Sequence, residues 1–166
     1  MLRQQEPFPA VIMDRYWNVL MANQVFDRFF DVQACTEPRN ILHLMLAPNG
    51  MQPHVIDWER VAQHLIQRVY REATGHGADR QMQQLLDAVL AYPDVRPEWK
   101  AQRVADSTSN LPMAPIGFVK DGAVLNYFVM ITTVGAPRSV AAQDLRMRCL
   151  VPADDETEAR HLALFA

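Results

Sequence analysis

The residue types that do chemistry are present in this 166-residue chain, but their spacing gathers none of them into a reacting group. The five histidines are His43, His54, His64, His76 and His161. No two of them fall four apart on one helix, and neither a His-Glu-x-x-His motif nor a His–Cys cluster occurs, so the pattern points to no metal centre. Cys35 and Cys149 lie far apart and in no metal-ligand spacing, which reads as two reduced thiols of a cytosolic protein rather than a disulfide framework. Cys35, between Ala34 and Thr36, has no activating neighbour in the sequence. Ser107, Ser109 and Ser139 lack a Gly-x-Ser-x-Gly elbow. With six glycines there is no phosphate-cradling loop. The acidic run Asp154-Asp155-Glu156 stands near a helix start, where negative charge favours the helix dipole.

What stands out instead is soft apolar material: nine methionines and seven phenylalanines spread along the chain. Methionine adapts to irregular shapes, and a sheet facing short aromatic helices can enclose an apolar pocket. The residues nominated for such a pocket are Met13, Leu20, Phe128, Met130 and Thr132 from strands, and Phe26, Phe30, Leu42, Leu46, Val61 and Leu65 from helices. Tyr127, Thr132, His64 and Arg68 are the side chains whose types suit a ligand head group. Each apolar residue among them serves equally well as ordinary core.

Composition bounds the remaining classes. The chain is the length of one domain and can bury about two thirds of its unfolded surface. A hydrophobic fraction of 49% against 21% charged argues against disorder. A net charge of −3, with Lys and Arg scattered, gives no electrostatic hold on nucleic acid. No secretory signal opens the chain and no 18-residue apolar run crosses a membrane, so a cytoplasmic location is expected.

The elements that must position these residues are legible from their punctuation. Ala10–Met13 and Val19–Ala22 are apolar runs around a polar turn at Asp14–Asn18. Asn23 can cap a short helix, Gln24–Phe30, by accepting a free backbone N–H; Phe26, Phe29 and Phe30 form its apolar face. Residues 31–39 read as a loop, and Asn40 can cap a second short helix, Ile41–Ala47, stopped by Pro48-Asn49-Gly50. Asp57 is the cap candidate of the longest helix, which runs to about Thr74 with Gly75 as its stop. Its apolar stripe is Trp58, Val61, Leu65 and Val69. Asp79 can cap Arg80–Ala91, where Met82, Leu85, Leu86, Val89 and Leu90 make a strong amphipathic face ended by Tyr92-Pro93. Trp99–Asp106 reads as extended. Met113–Lys120 and Ala123–Val134 read as strands joined at Asp121-Gly122, a pair suited to positive φ. The second of these is nearly all apolar and is expected to be central and buried on both faces. Asp144–Val151 is the last strand, its Leu145, Met147 and Cys149 alternating with Arg146 and Arg148, before a helical tail at Glu156–Phe165. The order β-β-α-α-α-α-β-β-β is α+β: one antiparallel five-stranded sheet with the helices inserted between strands 2 and 3.

Four segments, PFPAVIMDRYWNVLMAN, NILHLMLAPNGMQPHVIDWERVAQHLIQRVYREA, LLDAVLAYPDV and LPMAPIGFVKDGAVLNYFVMITTVGAPRSVAAQDLRMRCLVPAD, in this order and spacing, resemble the MmyB-like ligand-binding domain of XRE-type helix-turn-helix transcription regulators. The resemblance covers roughly residues 7–156, leaving 157–166 as a C-terminal helix or tail. It implies a PAS-like fold, a small apolar ligand with fatty acids foremost, no cofactor beyond such a ligand, and DNA contact only through an attached helix-turn-helix domain that this chain lacks. Two departures bear on the pocket. Asp57 stands where the family often has Asn before the tryptophan. Val129 and Met130 replace small hydroxyl residues in YFVMITTVG, which points to a more apolar or smaller pocket.

Two other readings compete with a ligand sensor. One is a homodimerisation module without ligand. The other is a small isomerase or hydratase on a cone-shaped α+β scaffold, which would need Asp57 or His64 inside a cavity.

Overall fold

The computed structural model describes residues 2–31, 39–75, 77, 79–101, 115–133 and 145–165. Contacts divide the chain into two compact units, Met1–Asn40 with Met113–Ala166, and Ile41–Pro112.

The first unit is built on a five-stranded antiparallel sheet: β1 (Ala10–Met13), β2 (Val19–Ala22), β3 (Ile116–Lys120), β4 (Ala123–Thr133) and β5 (Arg146–Pro152), in the spatial order β2-β1-β5-β4-β3. This is the α+β layout that the element order predicts, and it is consistent with the PAS-like fold that the resemblance implies. Both hairpins are made by local chemistry. In the first, the Asp14 carboxylate accepts from the Tyr16 and Asn18 backbone N–H groups, and Trp17 takes a φ of 67°. In the second, Asp121 and Gly122 adopt φ values of 48° and 77°, the twist that a two-residue hairpin requires. Sequence-distant strands meet where β1 pairs with β5, Ala10 opposite Cys149 and Met13 opposite Arg146. Helix α1 (Gln24–Phe30) begins at Asn23, whose side chain accepts from the Phe26 N–H as a cap should.

The sheet corrects one expectation. The middle strand is β5, and β4 lies between it and β3. Nor is β4 buried on both faces: Leu125 and Tyr127 are inaccessible, but Val124, Met130 and Ile131 are exposed. A run with few polar residues marks β-propensity, and the cover over each face is a matter of tertiary contact.

The second unit contains α2 (Ile41–Leu46), α3 (Trp58–Gly75) and α4 (Arg80–Leu90), with 3₁₀ turns at Gln52–His54 and Pro97–Lys100. Asp79 caps α4 through the Gln81 and Met82 N–H groups. The buried stripe of α3 is Trp58, Val61, Ala62, Ile66, Val69 and Ala73, so the face is centred on Ile66, and Leu65 is only partly buried. Asp57 enters α3 with a φ of 52°, and its carboxylate pairs with Arg60. Trp58 Nε1 donates to the Met45 carbonyl at 2.8 Å. Its ring meets Trp99 edge-on at 6.3 Å. Trp99 and Lys100 are therefore in a 3₁₀ turn rather than an extended segment, because Pro97 at the start of that turn fixes a helical φ. Residues 102–106 of that segment, the strand limits at Met113, Val134 and Asp144, and Cys35, His76, Ser107, Ser109 and Ser139 lie outside the described residues.

Gly50 ends the α2 turn where there is no room for a side chain: a Cβ there would stand 2.2 Å from the Leu44 carbonyl oxygen. Gly50→Ala is expected to destabilise by about 1–3 kcal/mol, the usual range for forced overpacking. Urea denaturation with unchanged m-value is the check.

Candidate ligand-binding site

The densest chemistry of the first unit is an aromatic layer on one face of the sheet. Alternation along β3 and β4 turns Phe118, Leu125 and Tyr127 to the same side. Over them lies α1, presenting Phe29, which has no accessible surface. Its ring meets Phe118 edge-on at 5.1 Å and Tyr127 at 5.6 Å. Phe26 and Phe30 meet with tilted rings, their centroids 4.5 Å apart. Helix α5 (Asp155–Phe165) closes the layer with Phe165, 5.4 Å from Phe29. Lys120 Nζ sits 5.4 Å over the Phe29 ring. Desolvation lowers its pKa, against an opposing pull from Asp31 and Asp121.

Two titratable groups are sealed within this layer. Tyr127 O–H donates to His161 Nδ1 at 2.7 Å, and His161 Nε2–H donates to the Pro7 carbonyl at 2.7 Å. The assignment follows from the carbonyl, which can only accept. Burial pushes the Tyr127 phenol far above its ordinary value. Burial also lowers the His161 pKa, the Pro7 bond opposing. Both groups are thus held neutral, in a satisfied pair.

A second cation on this sheet is Arg148, whose guanidinium lies 4.1 Å over the ring of the fully buried Trp17. The β1–β5–β4 register turns Arg148, Met13 and Tyr127 to one face.

The nominated residues are distributed as follows. Met13, Phe26, Phe30 and Tyr127 are buried in the first unit. Phe128, Met130 and Thr132 are one residue out of phase with Tyr127 and point to the opposite face, opposite Val151, Cys149 and Met147. A pocket on the aromatic face therefore excludes them, since successive strand residues cannot share a side. Leu20 is 52% exposed. In the second unit Leu42, Leu46 and Val61 are buried, Leu65 is partly so, and His64 is exposed. Of the head-group candidates, the Tyr127 hydroxyl is bonded to His161 and Arg68 pairs with Glu72. Asp57 and His64, which an enzyme would need inside a cavity, are both on the surface.

Within the second unit an open groove of about 710 Å³ is lined by Pro48, Gln52, Pro53, Trp58, Glu59, Pro93, Asp94 and Arg96. None of the nominated residues lines it. The same unit has its own His–Tyr pair, His43 Nδ1 with the Tyr92 hydroxyl. Among the described residues no group of three His, Cys, Asp or Glu is placed to hold a metal ion. Nor is any helix among them long and apolar enough to cross a membrane.

Sequence reasoning missed Trp17, Phe118, Arg148 and His161 as members of this arrangement. For His161 a signal existed: Thr157, His161 and Phe165 recur every four residues along one helix face. For Trp17 there was none, because a turn residue carries no periodicity.

Comparison with protein-family models matches residues 1–164 to the MmyB-like transcription regulator ligand binding domain. No curated protein matches the chain.

Proposed function

The chain belongs to the MmyB-like transcription regulator ligand-binding domain family, and from that premise we propose that it binds a small apolar ligand of fatty-acid type and passes the occupancy to an attached DNA-binding domain. The observation that carries this reading is the family match over residues 1–164. The sheet unit supports it with a large aromatic face on which Met13, Phe26 and Phe30 are the proposed contacts. An acidic head group would have a cation of that unit to pair with in Lys120, already set over the buried Phe29 ring. A ligand that binds one conformer better shifts the population toward it, which is how occupancy becomes a signal. As a regulatory domain, the chain performs no reaction on its ligand.

Native mass spectrometry of the purified protein, before and after incubation with straight-chain fatty acids and the matching alcohols, tests this. One acid per chain is expected, with acids retained over alcohols. At a ligand concentration about 100 times Kd the fold should gain about 2.7 kcal/mol, roughly 5–10 °C in Tm for a chain of this size. A protein that stays empty and unshifted against the whole panel would overturn the proposal.

A second reading, a homodimer, is favoured by one observation. Met21, Val119, Val124 and Met130 are all exposed, and the register turns them to the same side of the sheet, away from the aromatic layer. Sedimentation of the wild type and of Met130→Lys distinguishes the two: a dimer through this face becomes a monomer in the variant.

A further inference from the structure

Helix α5 is held to the sheet by one stripe of side chains. Thr157 Oγ1 accepts the Asn126 N–H of β4 at 3.1 Å, while Asp154 caps the helix through the Thr157 N–H at 2.7 Å. One turn later His161, with no accessible surface, bridges Tyr127 of β4 and the Pro7 carbonyl. One turn later again, Phe165 packs on Phe29, and its carbonyl accepts from Arg28. His161 is the titratable member of this stripe, and it sits at its centre.

The groups facing it come from every element packed around it. They are the Tyr127 hydroxyl from β4, the Pro7 carbonyl and the Phe8 ring at 5.1 Å from the N-terminal segment, Phe29 from α1, and Phe165 from α5 itself. The charged groups around this layer are Lys120 over Phe29, with Asp31 and Asp121 acting on it, and Arg28 on the Phe165 carbonyl. On α5, Glu156 pairs with Arg160 and Glu158 is exposed. Among the described contacts of His161 there is no carboxylate to receive an imidazolium. Protonation puts a hydrogen on Nδ1, where the Tyr127 O–H now points. The bond must reverse, and a charge is left among aromatic rings.

We propose that His161 is the acid-sensitive pin of the C-terminal helix: neutral, it fastens α5 to the sheet, and charged, it releases it. The direction follows from the geometry and agrees with a pKa held below the ordinary 6.5. The released helix takes up a proton that the docked helix excludes. Docking is therefore full above pH 6.5 and is lost as the pH falls from there toward the lowered value. This device is independent of the ligand reading, since it needs no occupant.

Hydrogen exchange of the whole chain, corrected for intrinsic rates, is to be compared at pH 7 and pH 5. The opening of α5 is expected to rise from pH 7 to pH 5, by up to about 25-fold, the ceiling that linkage of one group with an ordinary pKa of 6.5 sets, while the amides of β4 within the sheet hold. In His161→Gln, which can both donate and accept but cannot charge, the pH difference should vanish. If that variant does not fold, NMR titration of the wild type decides: His161 should titrate below the ordinary 6.5 and carry its proton on Nε2 at pH 7. Equal α5 protection at both pH values, the same acid response in His161→Gln, or a His161 midpoint at or above 6.5 would each overturn the proposal.

Discussion

Phe29→Ala is expected to destabilise the protein by about 3–5 kcal/mol, the range for deleting a buried phenylalanine where the surroundings cannot collapse. The reason lies in the number of elements that converge on one ring. Phe29 is fully buried on α1. It meets Phe118 of β3, Tyr127 of β4, and His161 and Phe165 of α5, with Lys120 above it. These neighbours belong to a hydrogen-bonded sheet and a capped helix, so none can move inward without breaking backbone bonds. The void persists and is paid for in lost dispersion contacts. Phe29→Leu, which keeps most of the volume, should cost under about 1.5 kcal/mol. Urea denaturation measures both, and a loss below about 1.5 kcal/mol for the alanine variant would show that the layer repacks. Phe29 lies between the proposed ligand contacts and the α5 stripe, so the alanine variant should also raise exchange throughout α5 at pH 7.

Asn23→Ala is expected to cost about 3 kcal/mol, well beyond a lost helix cap. The cap itself, Oδ1 accepting the Phe26 N–H at 2.9 Å, is worth about 1 kcal/mol. The same oxygen accepts the Ala10 N–H of β1 at 3.1 Å, and Nδ2 donates to the Phe8 carbonyl at 2.8 Å. Asn23 is 4% exposed, so alanine leaves buried backbone groups unsatisfied, at about 1–3 kcal/mol each before relaxation. Asn23→Asp keeps the acceptor and loses the donor, setting a carboxylate against the Phe8 carbonyl. It should fall between wild type and alanine. Equal losses for Asn23→Ala and for an ordinary cap substitution such as Asp79→Ala would show that the Ala10 and Phe8 bonds carry nothing. Asp79, whose carboxylate caps α4 at an exposed end, is the natural reference.

The same residue shows how far a sequence can be read. That Asn23 begins a helix is visible from the chain, because a capping side chain bonds a backbone N–H only three residues on. That it also ties the strand start and Phe8 is not visible, because those partners are 13 and 15 residues away. Asp121-Gly122 and Asp79 belong to the first kind: their roles are settled by φ preference and by bonds within one turn. The stripe of α3 belongs between the two. A helical period is evident, but whether the face is centred on Leu65 or Ile66 depends on where the neighbours stand. The extended reading of Trp99 failed on a local signal, since Pro97 two residues before it starts a 3₁₀ turn with a helical φ.

The candidate site divides along the same line. The phenylalanine face of α1 was readable from spacing, and it forms the aromatic layer. The strand residues nominated beside it were chosen by type, so Met13 and Tyr127 were taken together with Phe128, Met130 and Thr132. Parity in β4 separates them, and parity becomes meaningful only once one residue of the strand is known to face the helices.

By itself, then, the sequence determined the strand–turn–strand opening, the helices capped by Asn23 and Asp79, the Asp-Gly hairpin and the α+β class, because each is decided by bonds and dihedral preferences within a few residues. The family resemblance followed from those segments taken together and is borne out over residues 1–164. Only the tertiary structure decided that β5 runs through the middle of the sheet, that Trp17 and Arg148 stack, and that His161 reaches across 154 residues to Pro7. Those contacts join positions that no local propensity relates, and they form only when burial of the aromatic layer outweighs the entropy of closing the chain.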